Sequence, residues 1–222
     1  MKSESVGVFQ RGLMAVGMVC ALGAGQALAI PLTPGSTVLT PGTTSALRPE
    51  LAGVVIEDVL TPFAGTDALG NVVFTGTLQA RVVRETAAGT LDFYYRIFND
   101  ASSLDPISRL SSTDFSGFLT DVDYRLDGLG SVGSVSADRS SNGRVVGVNF
   151  GLVDDLGPGE ESYFLFIQTD ATSYGVGSTA LLNGGRAAVS TFAPTVPEPA
   201  TLLLLGSGLL GLGLVGRKFV KS

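Results

Sequence analysis

Carboxylates are the reactive groups this chain has to offer. Between residues 30 and 195 there is no histidine, cysteine, lysine or tryptophan. Ser–His, Cys–His and Ser–Lys nucleophile pairs therefore cannot be assembled there, and the usual ligands of zinc, copper and haem are missing. What remains is acid–base work by paired carboxylates, as in glycoside hydrolysis. The dense acidic groups are Asp121/Asp123/Asp127, Asp154/Asp155 and Glu160/Glu161. The first group occupies alternate positions interleaved with Arg125, a spacing that predicts a solvated strand face that discourages edge pairing. The other two flank Gly157-Pro158-Gly159 and would offer oxygens to Ca²⁺, but no D-x-D-x-D-G loop accompanies them. The expectation is no cofactor, no metal and no catalytic residue. Tyr94 and an outward-turned Tyr163 are the aromatics placed to stack on a sugar, although tyrosines at such positions commonly just cover sheet edges.

The elements that must position these groups are strands. Phe74, Leu78, Ala80 and Val82 share one face of Val72–Val82, opposite Thr75, Thr77, Gln79 and Arg81. Leu91, Phe93, Tyr95 and Ile97 alternate with Asp92, Tyr94 and Arg96, and Phe118, Val122, Tyr124 and Leu126 with Asp121, Asp123, Arg125 and Asp127. Two-residue alternation describes strands with one buried side. Further strands are expected at Gly53–Val59, Arg144–Leu152, Tyr163–Thr169 and Ala187–Phe192, separated by Gly/Pro/Asn turns and without a helical period. The fold class is all-β, a single antiparallel β-sandwich over residues 51–193. Before it, residues 30–50 are rich in Pro, Gly and Thr. There Leu32-Thr33-Pro34-Gly35-Ser36-Thr37 is echoed by Leu39-Thr40-Pro41-Gly42-Thr43-Thr44, which reads as an extended, flexible arm.

Both ends differ from this body. Lys2 and Arg11, the apolar stretch Leu13–Gly25 and Ala27-Leu28-Ala29 have the order of a secretory signal peptide over residues 1–29, with Ala27 and Ala29 as the peptidase recognition pair. At the other end, Ala200–Val215 is apolar but would reach only about 24 Å as a helix, short of the roughly 30 Å hydrocarbon core. Four glycines weaken it further. Arg217, Lys218 and Lys221 then place a basic tip on the cytoplasmic side while the body faces outward. The run can halt translocation as a transient membrane helix without being a comfortable permanent span. Without its ends the chain carries 18 acidic residues and nine basic ones, all Arg. That surface repels nucleic acid.

Val196-Pro197-Glu198-Pro199-Ala200, followed by a Leu/Gly-rich run and a basic tip, resembles the PEP-CTERM sorting signal of Gram-negative bacteria. The resemblance covers residues 196–222 alone, within a sorting-signal segment set at 194–222. It implies recognition of Pro197, Glu198 and Pro199 by an exosortase, an integral-membrane transpeptidase, during export toward the cell surface and its polysaccharide. Two prolines hold such a segment extended, as a processing enzyme requires. The expected partners are thus exosortase, signal peptidase with the export machinery, and an exopolysaccharide. The expected function is a non-enzymatic surface or matrix protein. A carbohydrate-binding or adhesive module is the alternative, ahead of a carboxylate-dependent glycan-active enzyme.

Overall fold

The structure is a computed structural model and describes residues 31–151 and 155–196. Within them the chain forms one antiparallel sheet of eleven strands. These are β1 (Thr37–Leu39), β2 (Val54–Thr66), β3 (Val72–Arg84), β4 (Leu91–Asn99), β5 (Arg109–Ser112), β6 (Thr120–Arg125), β7 (Ser136–Arg139), β8 (Val146–Asn149), β9 (Phe164–Thr169), β10 (Ser173–Asn183) and β11 (Gly185–Thr195). Their order across the sheet is β1-β7-β8-β5-β10-β11-β2-β3-β4-β9-β6. All seven expected strands are present. The two separate sheets of a sandwich are not: one ladder runs from edge to edge, through a narrow seam where β11 meets β2 at Arg186↔Thr66 alone. Pro62 and Pro194 stand in the two strands of this seam, where a residue lacking N–H is tolerated beside a bare edge. Among the described residues no helix is long and apolar enough to cross a membrane.

The sheet curls so that its halves face each other across one core. Phe74, Leu78, Phe93 and Ile97 from one half pack with Leu110, Val146, Leu181 and Val189 from the other. Phe93 meets Phe115 edge-on with ring centroids 5.7 Å apart. A chain of hydroxyls crosses the same core. Tyr95 Oη lies 2.9 Å from Ser112 Oγ and donates to the Phe192 carbonyl at 3.2 Å, Ser112 Oγ lies 3.1 Å from Thr179 Oγ1, and Thr179 Oγ1 lies 2.8 Å from Thr191 Oγ1. Such buried hydroxyls are tolerable because each has a partner, at about 1 kcal/mol net per bond.

Of residues 30–50, expected as a flexible arm, the described part, residues 31–50, is extended but built into the sheet. Thr37–Leu39 pairs with β7 at one edge. On the other edge, Leu32 N–H donates to Thr120 O, Thr43 N–H to Tyr124 O and Leu126 N–H to Thr43 O. The arm therefore stitches the two sheet edges together. It then turns through a short 3-10 segment, Pro49–Leu51, and lays Leu51 on the outward face against Val83, Tyr94, Phe164 and Phe166. This covering corrects the one-sided burial expected of β4 and β6. Asp92, Tyr94 and Arg96 are all buried, as are Asp121 and Asp123.

Candidate functional site

The acidic stripe of β6 is a rail that holds the arm, not a solvated face. Asp121 Oδ2 accepts from Arg48 Nη2 at 3.0 Å. Asp123 Oδ1 accepts from the Gly42 N–H at 2.8 Å. Asp127 Oδ2 accepts from Ser45 N–H at 2.8 Å and Ser45 Oγ at 2.6 Å, while Arg125 clamps its other oxygen. Arg125 and Ser45 hold the Asp127 carboxyl well below the usual carboxylate range. Asp123 is pushed the other way by burial, against the Gly42 and Tyr124 N–H groups that favour its charge. Asp121 and Asp123 of β6, and Asp127 in the turn that follows it, thus meet donors at residues 48, 42 and 45 of the arm. Gly42 is where this needs a glycine: its φ is +80°, and a Cβ there would lie 2.7 Å from the Tyr124 ring.

Where the arm crosses the sheet it roofs a cavity of about 720 Å³. The floor is a polar row set by strand register, since Gln168 of β9 stands between Asp92 of β4 and Asp121 of β6. Arg48 lies over this row, bonded to Glu50, Asp121 and Gln168, with its guanidinium 5.4 Å from the Phe166 ring centroid. Apolar wall comes from Pro31, Leu32, Phe118 and Leu119. Arg139 closes the back: its Nε donates to Gly143 O, its Nη1 to Leu32 O and Thr120 Oγ1, and its Nη2 to Phe115 O and Phe118 O. Glu50, Glu85 and Asp170 also line the cavity.

Asp92 sits beside this floor, fully buried. Neither of its oxygens is met by a well-formed hydrogen bond; the Gln168 amide and the Arg48 charge lean toward it. Burial, with Glu85 nearby, raises its pKa to about 8. It is a carboxylic acid rather than a carboxylate at neutral pH. Sequence reasoning placed Asp92 on an exposed face and missed this cavity, because the roof comes from a segment far away along the chain.

Other expected groups are distributed as follows. Tyr94 is not available to a sugar: it packs between Phe164 and Phe166 with its hydroxyl 3.5 Å from the Leu51 carbonyl. Tyr163 is half-buried and stacks on Tyr124, ring centroids 5.6 Å apart. Glu160 Oε2 accepts from Gly157 N–H at 2.8 Å, and Glu161 pairs with Arg96 at 2.5 Å. Among the described residues no three acidic groups stand close enough to hold a metal ion. Ala27, Ala29, Asp154, Pro197, Glu198, Pro199, Arg217, Lys218 and Lys221 lie outside the described residues, as do the leader and the tail helix.

Residues 195–218 match the PEP-CTERM protein-sorting motif. The match opens at Thr195, the last residue of β11. Comparison with curated proteins and with solved structures gives no match.

Proposed function

We propose that this chain is an exported cell-surface or matrix protein whose β body acts structurally or by binding rather than by catalysis. The tail carries the sorting motif, and sorting by exosortase follows from it. The signal peptide over residues 1–29, the peptidase pair Ala27/Ala29, the transient membrane helix and the basic tip complete the export route in this reading. The observation that carries it is the junction between body and tail. β11 ends at Thr195, locked to β10 by Ser173 Oγ donating to Thr195 O at 2.7 Å, and the motif begins at that residue. Processing near Pro197–Pro199 would therefore release the whole described fold intact, with the address removed. Replacing Pro197, Glu198 and Pro199 by Ala tests this: the protein should stay in the inner-membrane fraction. Wild-type release from that variant would defeat the reading.

A carbohydrate-binding or adhesive role is the second reading, favoured by the 720 Å³ cavity with a polar floor and an apolar wall. Volumes of this order and this mixed lining are those of ligand sites. Exopolysaccharide is the partner it fits. A glycan array probed with the exported protein checks it, and retention of no glycan would leave the structural role alone.

A further inference from the structure

We infer that the cavity beneath the arm binds a ligand carrying a protonated amine on an apolar or polyol frame, and that Glu50, Glu85 and Asp170 receive it. This rests on the binding reading above and adds the charge of the ligand. Four carboxylates and two guanidinium groups line the cavity, which leaves a formal charge of −2. The two cations are already engaged. Arg48 is flanked by Glu50 and Asp121, and Arg139 uses all three of its nitrogens on carbonyls and Thr120. An anionic ligand would meet unpaired negative charge, whereas a donor finds acceptors.

Those acceptors are pre-positioned. Glu50 Oε1 is held by Arg48 Nε at 2.8 Å, Glu85 Oε1 by Gln168 Nε2 at 3.2 Å and Asp170 Oδ1 by the Leu119 N–H at 2.8 Å. In each case one oxygen fixes the side chain and the second has no hydrogen bond among the described residues. Fixing acceptors before the ligand arrives removes part of the ordering cost of binding. The carboxylates do not form a metal cluster; a larger organic cation can reach what a bare ion cannot share. Pro31, Leu32, Phe118 and Leu119 supply the wall on which the ligand's carbon frame lies.

The amine can belong to an amino sugar in a glycan or to a small free polyamine. Calorimetric titration of the exported protein with glucosamine tetramer, its fully N-acetylated counterpart, spermidine and a uronic-acid tetramer separates these. The result expected is binding of at least one amine ligand, weakened at least tenfold by N-acetylation and several-fold by raising NaCl from 20 to 200 mM. A tighter glucosamine tetramer assigns the site to a glycan, and tighter spermidine to a polyamine. Glu85→Gln and Asp170→Asn keep the oxygen that fixes each side chain and remove the charge, so each should weaken the amine five- to tenfold with an unchanged urea midpoint. Leu119 is 73 % exposed, so Leu119→Lys can be made without disturbing the core, and its own amine should block the site. Equal affinity for the N-acetylated tetramer overturns the inference while leaving sugar binding standing. Preference for the uronic tetramer, unchanged amine affinity in all three variants, or no binding of any amine at millimolar concentration overturns it as well.

Discussion

Asp92→Asn should convert a pH-sensitive fold into a less sensitive one. In an unfolded chain Asp titrates near about 3.9, while in the fold burial raises Asp92 to about 8. Below the lower value both states hold the proton and the group adds no pH dependence. Between the two values the unfolded chain has released its proton and the fold has not. Stability therefore falls as pH rises, by up to about 1.36 kcal/mol per unit. The loss levels off above the folded value. Integrated from pH 5 to pH 8, Asp92 alone removes about 3.6 kcal/mol on these two values. Asn keeps the shape of the neutral acid and cannot ionise. Urea unfolding of wild type and Asp92→Asn at pH 5, 6, 7 and 8 isolates the effect, because all other groups titrate alike in both. The variant should gain on wild type with each step, ending about 3–4 kcal/mol ahead of its pH 5 position. A difference between the two proteins that stays flat within about 1 kcal/mol would show that Asp92 is ionised in the fold and that the burial argument is wrong.

Arg139→Met should cost about 3–5 kcal/mol, because it leaves the Gly143 and Phe118 carbonyls and Thr120 Oγ1 without a donor and takes one of two donors from the Leu32 and Phe115 carbonyls at a buried junction; a loss under about 1 kcal/mol by calorimetry would show that water replaces the guanidinium. Gly42→Ala combines left-handed backbone strain of about 1–2 kcal/mol with a clash on the Tyr124 ring. Gly70→Ala, whose φ is +87° with open space around it, carries the strain alone. The first should be more destabilising in urea melts by at least about 1 kcal/mol, and equal losses would remove Tyr124 from the explanation. Tyr95→Phe removes the hydroxyl shared with Ser112 and Phe192 and should cost about 1–2 kcal/mol in the same assay; a neutral result would mean the hydroxyl chain does not help hold the sheet halves together.

The strands that were legible in the sequence are those whose inward residues are large and apolar. In β3 and β4 Phe74, Leu78, Phe93 and Ile97 announce themselves by alternation. β10 hides because its inward positions are Gly177, Thr179 and Leu181, and the buried Thr179 is satisfied by Ser112 and Thr191 rather than by apolar contact. β5 and β7 hide for related reasons: Ser112 and Arg139 stand buried where an apolar residue would have marked the strand. The single curled sheet could not be read because the seam between β11 and β2 depends on pairing across more than a hundred residues. The acidic stripe misled in an informative way. Alternating Asp on a strand normally meets water, but here residues 42–48 supply N–H, hydroxyl and guanidinium donors from about 80 residues earlier. The cavity inherits that long-range origin, since Arg48 of its roof lies 73 residues from Asp121 and 120 residues from Gln168 of its floor. The tail was legible because its signal is local: a proline-framed acid, a short apolar run and a basic tip in sequence order.

Sorting through the tail is tested most directly by the intact mass of the protein recovered from producing cells, with and without their exosortase. The account predicts a species from normal cells that ends before Leu202 and keeps β11 through Thr195, and a longer species retaining Ser222 when the exosortase is deleted. Recovery of Ser222 on the surface protein of normal cells would contradict it.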